Sequence, residues 1–161
     1  YSNEEELVVY IDWLKKENRT WSDILVTVFS GNLDPDFNRG ILQLIENGLP
    51  ESKIIGCTTA GEIFNNEVLK YQIVISFYFF QSTSILTSFV PFRSEKDMAG
   101  DIENELIRDD TKGLLLFSII IQKEIDHDLL LKNIYKNNPS IPVFRAGAGD
   151  NMEFETQYVF L

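Results

Sequence analysis

Cationic side chains are scarce in this chain: 14 lysines and arginines stand against 25 aspartates and glutamates, a formal net charge of −11 over 161 residues. A nucleic-acid surface needs clustered cations to displace phosphate counterions, so that class of partner is excluded. An anionic membrane surface is disfavoured for the same reason, and the excess of acid serves solubility. Cys57 is the only cysteine, which rules out an internal disulfide and any cysteine-based zinc cluster and fits a reducing cytoplasm. His127 is the only histidine, too few for a conventional structural zinc site. No basic n-region followed by an apolar h-region opens the sequence. The longest apolar run, Leu114 to Ile121 with Ser118 inside it, falls far short of the ~20 residues needed to span a bilayer. What the chain has in quantity is core material: 44% hydrophobic residues, among them 12 Phe, 6 Tyr and 2 Trp, enough to fill one domain.

The apolar spacing separates helices from strands. Leu7, Tyr10, Ile11 and Leu14 recur at helical period behind an acidic opening, predicting a helix over 4–17. Ile24 to Phe29 is an apolar run of strand length with Thr27 inside it. Asp34-Pro35 has the form of an N-cap followed by proline in the first turn, with Phe37, Ile41, Leu44 and Ile45 as the inner face and Gly48 as the stop. Lys53 to Gly56 is a second strand. Leu69 to Phe80 and Ser84 to Phe92, both rich in β-branched and aromatic residues, predict an antiparallel hairpin across Gln81-Ser82-Thr83. Ser94 to Asp97 reads as a capping box ahead of a helix with Met98, Ile102 and Leu106 inward. Further elements are a strand over Leu114 to Phe117, a helix starting at Asp126 with Leu130 and Ile134 inward, and strands over Ile141 to Phe144 and Phe154 to Phe160.

Two stretches repeat. Phe29-Ser30 matches Phe117-Ser118, Ile41-Leu42 matches Leu129-Leu130, and Ala60-Gly61-Glu62 matches Ala148-Gly149-Asp150, each 88 positions apart (29 to 117, 41 to 129, 60 to 148). The repeating unit is strand, helix, strand and a small-residue turn ending in Ala-Gly-acid. The expected fold class is therefore α/β, a mixed β-sheet with two βαβ-like repeats and an inserted antiparallel hairpin. Paired copies would bring Cys57, Thr58 and Thr59 near Arg145 and Asp150.

The chemistry concentrates in Gly56-Cys57-Thr58-Thr59-Ala60-Gly61-Glu62, where a strand runs into small and polar residues. Ligands of α/β proteins sit at such strand ends. No Lys-Ser/Thr follows, and no helix opens behind the motif, so neither a phosphate loop nor a dinucleotide fingerprint is present. Cys57 is read as a small buried residue or a pocket lining, since a reactive thiolate needs a neighbouring base. At most one of Thr58 and Thr59 faces a pocket, because adjacent residues in extended chain point to opposite faces. Glu62 and Asp150 either cap turns or bind a ligand's amino group. Arg145, in an apolar strand end, must pair with a carboxylate of protein or ligand, or reach solvent. Asp126 and Asp128 beside His127 suggest a solvated helix start. No nucleophile, base and oxyanion set can be assembled, so an enzyme is not expected.

Ile54 to Ile63, with Gly113 to Ser118 and Pro142 to Phe144 followed by Ala148-Gly149-Asp150-Asn151, resembles the N-terminal half of the FIST domain over roughly residues 20–161. FIST domains are sensory modules of bacterial signal-transduction proteins and of some eukaryotic F-box proteins. The resemblance implies a cytoplasmic, bacterial sensory domain spanning 1–161, part of a longer protein that also carries the FIST C-terminal half. It implies a small-molecule ligand, with amino acids a proposed class, and an attached output domain such as a diguanylate cyclase, histidine kinase or chemoreceptor module. Carried over residue by residue, Gly56, Cys57, Thr58, Thr59, Gly61 and Glu62 form one pocket wall, and Ala148, Gly149, Asp150 and Asn151 the other. The chain departs from the family before Ala148, where two glycines are expected and Arg145 and Ala146 stand. An arginine there narrows the site and favours an anionic group. The expectation is a carboxylate-bearing metabolite between the two turns, with Arg145 on its carboxylate, Asp150 or Glu62 on an ammonium, and Gly56 and Gly61 exposing amides. No cofactor is required. The alternatives are a haem-binding nitric-oxide sensor, with His127 or Tyr135 on the iron, and a ligand-free interaction or dimerisation module such as a homodimer.

Overall fold

The computed structural model describes residues 4–17, 20–120, 125–153 and 155–161. The chain runs through α1 (Glu4–Lys16), β1 (Asp23–Ser30), α2 (Pro35–Gly48), β2 (Lys53–Thr58), β3 (Glu62–Phe64), β4 (Glu67–Leu69), β5 (Ile73–Phe80), α3 (Glu95–Leu106), β6 (Leu114–Ile119), α4 (His127–Asn137), β7 (Val143–Ala148) and β8 (Val159–Phe160). It is an α/β fold. A mixed four-stranded sheet has the order β5-β1-β2-β8, β6 and β7 form a parallel pair, and β3 and β4 a short antiparallel hairpin.

The local signals act as their spacing predicts. Asp34 Oδ1 accepts from the amides of Asp36 and Phe37 at the start of α2, Ser94 Oγ accepts from Asp97 N at the start of α3, and Asp126 Oδ1 accepts from Leu129 N at the start of α4. Each satisfies helix-start amides that have no partner within the helix. The apolar stripes then bury. Leu7 and Ile11 of α1 and Ile41 and Ile45 of α2 pack on Val26, Val28 and Ile54 of the first sheet. Met98 and Ile102 of α3 and Leu130 and Ile134 of α4 pack on Leu114 of β6. Strand β1 is apolar from Ile24 to Phe29 except at Thr27 because it is central, with β2 parallel on one side and β5 antiparallel on the other.

Two expectations are corrected. The hairpin predicted over 69–92 does not form. All eight residues of β5 pair with β1, from Asp23↔Phe80 to Ser30↔Ile73, and residues 84–91 are in no strand. Ser22 Oγ donates to the carbonyls of Phe80 and Thr83, and Asp23 Oδ2 accepts from Ile85 N, which turns the chain away from the sheet. The inserted hairpin is instead β3–β4. The strand expected over 154–160 is short, Val159–Phe160; Phe154 lies outside the described residues, as does Ile121 at the end of the longest apolar run.

The two βαβ repeats, β1-α2-β2 and β6-α4-β7, are both present, and their equivalent rings Phe29 and Phe117 touch at 5.6 Å between centroids. The 88-residue offset does not hold throughout. Phe29 pairs Cys57 across β1–β2, whereas Phe117 pairs Ala146 across β6–β7, so the second unit is one residue longer at that point. Ile41 is accordingly buried while Leu129, its match by number, is 42% exposed; Leu130 takes the inward position.

Candidate functional site

The two Ala-Gly-acid turns do meet, but as touching walls. Gly149 N donates to Thr58 O at 2.7 Å and Asn151 N to Thr59 O at 3.3 Å. A Cβ on Gly149 would come within 2.6 Å of Ala60 N, so only glycine permits this approach, and a ligand has no room between the two backbones.

The members of the first turn divide into structural and available groups. Gly56 is buried between β1 and β8, pairing Val28 and Phe160, and so presents no amide to a ligand. Cys57 is 1% exposed, and burial pushes its thiol up to about 11, so it stays protonated and unreactive at neutral pH. Iodoacetamide is expected to leave the native protein unlabelled at pH 7.5 and to label it once urea unfolds it; labelling of the native state at the unfolded rate would show an accessible thiolate. The Thr58 hydroxyl accepts from Tyr158 N at 3.0 Å, which fastens the segment before β8 to the end of β2. Thr59 points the other way and donates its hydroxyl to Glu62 Oε1. Gly61 comes next but one, with φ +147°.

Glu62 is 4% exposed, and its Oε2 is buried with no hydrogen-bond donor among the described residues. Asp150, 1% exposed, differs: its Oδ2 accepts from the amides of Glu155 at 2.6 Å and Thr156 at 3.1 Å. It therefore closes its own loop. Asn151 has φ 55° and donates Nδ2 to Gly31 O at 3.0 Å, while its Oδ1 is buried without a partner among the described residues.

Arg145 lies elsewhere. It faces a cavity of about 940 Å³ between the first sheet, α3 and β6, with Ile55, Met98, Ile102, Leu116 and Phe160 among its apolar walls. Its Nε donates to Ser118 Oγ at 3.1 Å, and its Nη2 is buried with no acceptor among the described residues. His127 lines the same cavity, and neither of its ring nitrogens has a partner among the described residues. Burial first, then the Arg145 charge, holds this imidazole below its ordinary 6.5, against the opposing pull of Asp126, Asp128 and Glu95. The helix start at Asp126 was expected; a His127 ring turned inward, away from solvent, was not. Asp126 and Asp128 are exposed while both ring nitrogens are buried, because neighbouring helix positions face different sides. Sequence reasoning missed Ser118 as the hydrogen-bond partner of Arg145 and His127 as its neighbour on the cavity wall. The repeat carried a signal for Ser118, since it matches Ser30, a fully buried serine that hydrogen-bonds Asn38.

The described residues contain no group of three or more His, Cys, Asp or Glu side chains able to hold a metal ion, and no described helix is long and apolar enough to cross a membrane. Neither curated proteins nor solved structures gave a match. The FIST N domain family matches residues 24–161, which takes in both βαβ units, both Ala-Gly-acid turns and the Arg145 cavity. The chain belongs to the FIST N domain family of sensory, non-catalytic signal-transduction domains.

Proposed function

We propose that this domain senses a small carboxylate-bearing metabolite held by Arg145, Ser118 and His127 in the large cavity, and that binding biases an attached output domain such as a diguanylate cyclase or histidine kinase. The observation that carries this is Arg145. Its guanidinium lines a cavity with mainly apolar walls and, among the described residues, has one hydrogen-bond partner, a neutral one, and a buried Nη2 left over. A cation so placed is stabilised by an anion that forms paired, charge-assisted hydrogen bonds with it. The volume suits a small organic ligand. A carboxylate there would share Arg145 with Ser118 and accept from His127. Signalling results if the ligand binds one arrangement of the domain more tightly than another.

A thermal-shift screen of dicarboxylates and amino acids is the test. Arg145→Ala is expected to weaken any hit by about tenfold or more; a hit unchanged by that substitution places the ligand elsewhere. The pH dependence has a definite sign. His127 in the folded chain takes up its proton below 6.5, so the unfolded chain binds more protons and stability falls as pH drops through that value. An anion beside the ring favours the imidazolium and couples binding to proton uptake. Affinity should therefore rise on acidification from pH 7.5 towards 5.5, and His127→Gln should flatten that slope.

Haem is a second reading, favoured by one observation: the two ring nitrogens of His127, without a partner among the described residues, at the wall of a mainly apolar cavity. Tyr135 is not a candidate ligand there, being 58% exposed. Haemin added to the protein gives a Soret band that His127→Ala abolishes if His127 holds the iron.

A further inference from the structure

We infer that the pocket beside Gly31 is a second binding site, for a primary ammonium group held by Glu62 and Asn151. It is independent of the Arg145 cavity. Two side chains from different turns close on Gly31. Asn151 donates Nδ2 to the Gly31 carbonyl at 3.0 Å. That bond fixes the orientation of the amide and leaves Oδ1 as an acceptor, buried and without a donor among the described residues. From the other side Glu62 presents Oε1 to the same glycine, where a Cβ would stand 3.0 Å from it. The second carboxylate oxygen, Oε2, is buried and has no donor among the described residues, on a side chain only 4% exposed. Native proteins seldom leave such acceptors unmet.

Asn151 and Gly31, the glycine that Glu62 Oε1 approaches, line a pocket of about 380 Å³ together with Asn32, Leu33, Asp34 and Tyr71. Its lining has no lysine or arginine, and Asp34 adds a second carboxylate at its wall. It lies beyond the carboxyl end of β1, where ligands of parallel α/β units sit. Two buried acceptors, one of them a carboxylate oxygen, call for a cation that carries several hydrogen-bond donors. A primary ammonium has three, so in the inferred site one N–H is assigned to Glu62 Oε2 and another to Asn151 Oδ1. Calcium and magnesium fit poorly, because they take six or more oxygens, usually from several carboxylates and waters, and a single carboxylate is buried here. A monovalent inorganic ion shares the charge and the oxygen ligands but not the directed N–H donors, so the two sources can be told apart.

The experiment adds methylammonium chloride to the 161-residue chain, with tetramethylammonium chloride and potassium chloride at matched ionic strength. The readouts are the side-chain amide resonances of Asn151 and the thermal midpoint. Saturable movement of the Asn151 resonances and a raised midpoint are expected with methylammonium alone. Glu62→Gln should weaken that binding by about tenfold or more. An equal response to tetramethylammonium, which has the charge without the N–H groups, reduces the effect to screening and overturns the proposal. An equal response to potassium assigns the site to an inorganic cation and overturns it too. So does a wild-type Asn151 amide that methylammonium does not move, a result that needs no variant to fold.

Discussion

Gly56→Ala is expected to be the most damaging single substitution in the strand that carries the site, with a loss of about 4 kcal/mol or more. Gly56 sits opposite Val28 in the parallel β1–β2 pair. A Cβ there would lie deep inside the van der Waals surface of the Val28 carbonyl oxygen, with the Val28 carbonyl carbon 2.8 Å away. The obstacle is backbone, so no rotamer change relieves it. Either β2 withdraws from β1 and gives up ladder bonds, or both strands bend. Val28 itself is 1% exposed in the centre of the first core, so bending spreads into the packing of α1 and α2. The same movement carries Thr58 and Thr59 away from Tyr158 and Glu62, which links this stability effect to the site. Urea unfolding monitored by circular dichroism measures it. A variant within about 1 kcal/mol of wild type would mean that β2 has slack against β1, contrary to the contact described.

Asp150→Ala is expected to cost about 3 kcal/mol, the second large effect. The carboxylate is 1% exposed, and Oδ2 alone accepts from the amides of Glu155 and Thr156. Alanine removes the acceptor and leaves two backbone donors without it. The loop they belong to leads to Gln157, whose Oε1 accepts from Ile120 N at 2.8 Å, and to Tyr158, which holds Thr58. Loosening it should therefore detach the β8 end of the first sheet before the rest. Asp150→Asn keeps an oxygen in place and loses only the charge, so it should retain most of the stability. Hydrogen exchange read at the Tyr158 and Val159 amides separates the two substitutions. Equal protection in wild type and Asp150→Ala would return Asp150 to the pool of candidate ligand residues.

The two effects show why motif membership and ligand contact are different properties. Gly56, Thr58 and Asp150 belong to the FIST-like stretches and serve packing, a strand tie and a loop closure. Glu62 and Asn151, equally part of them, keep acceptors that no donor meets among the described residues. Nothing in residue type separates Asp150 from Glu62: both are acids after Ala-Gly. The path of the downstream chain makes the difference. Beyond Asp150 the backbone folds back to offer the amides of Glu155 and Thr156, whereas beyond Glu62 it runs out along β3.

The sequence by itself determined what is local. Asp34-Pro35, Ser94 with Asp97, and Asp126 set three helix starts, because an N-cap acts on amides two or three residues away. The inner faces of α2, α3 and α4 emerged from period alone, since burial of one stripe is the only way such a helix packs. The FIST motif was legible because it is contiguous, and the βαβ repeat because both copies kept their order. Tertiary structure decided what depends on partners distant in sequence. The strand over 73–80 carries no mark of preferring β1 to 84–92; β propensity is a fit to a half-buried surface and does not name the neighbour. One extra residue in the second repeat moved Leu130, and not Leu129, into the core, a change invisible in three short matching segments. The same non-locality placed Arg145 with Ser118 and His127 and not with Cys57. Its strand neighbour is Leu116 of β6, and side chains of a strand alternate between faces, so the direction of the guanidinium was set only when β7 paired.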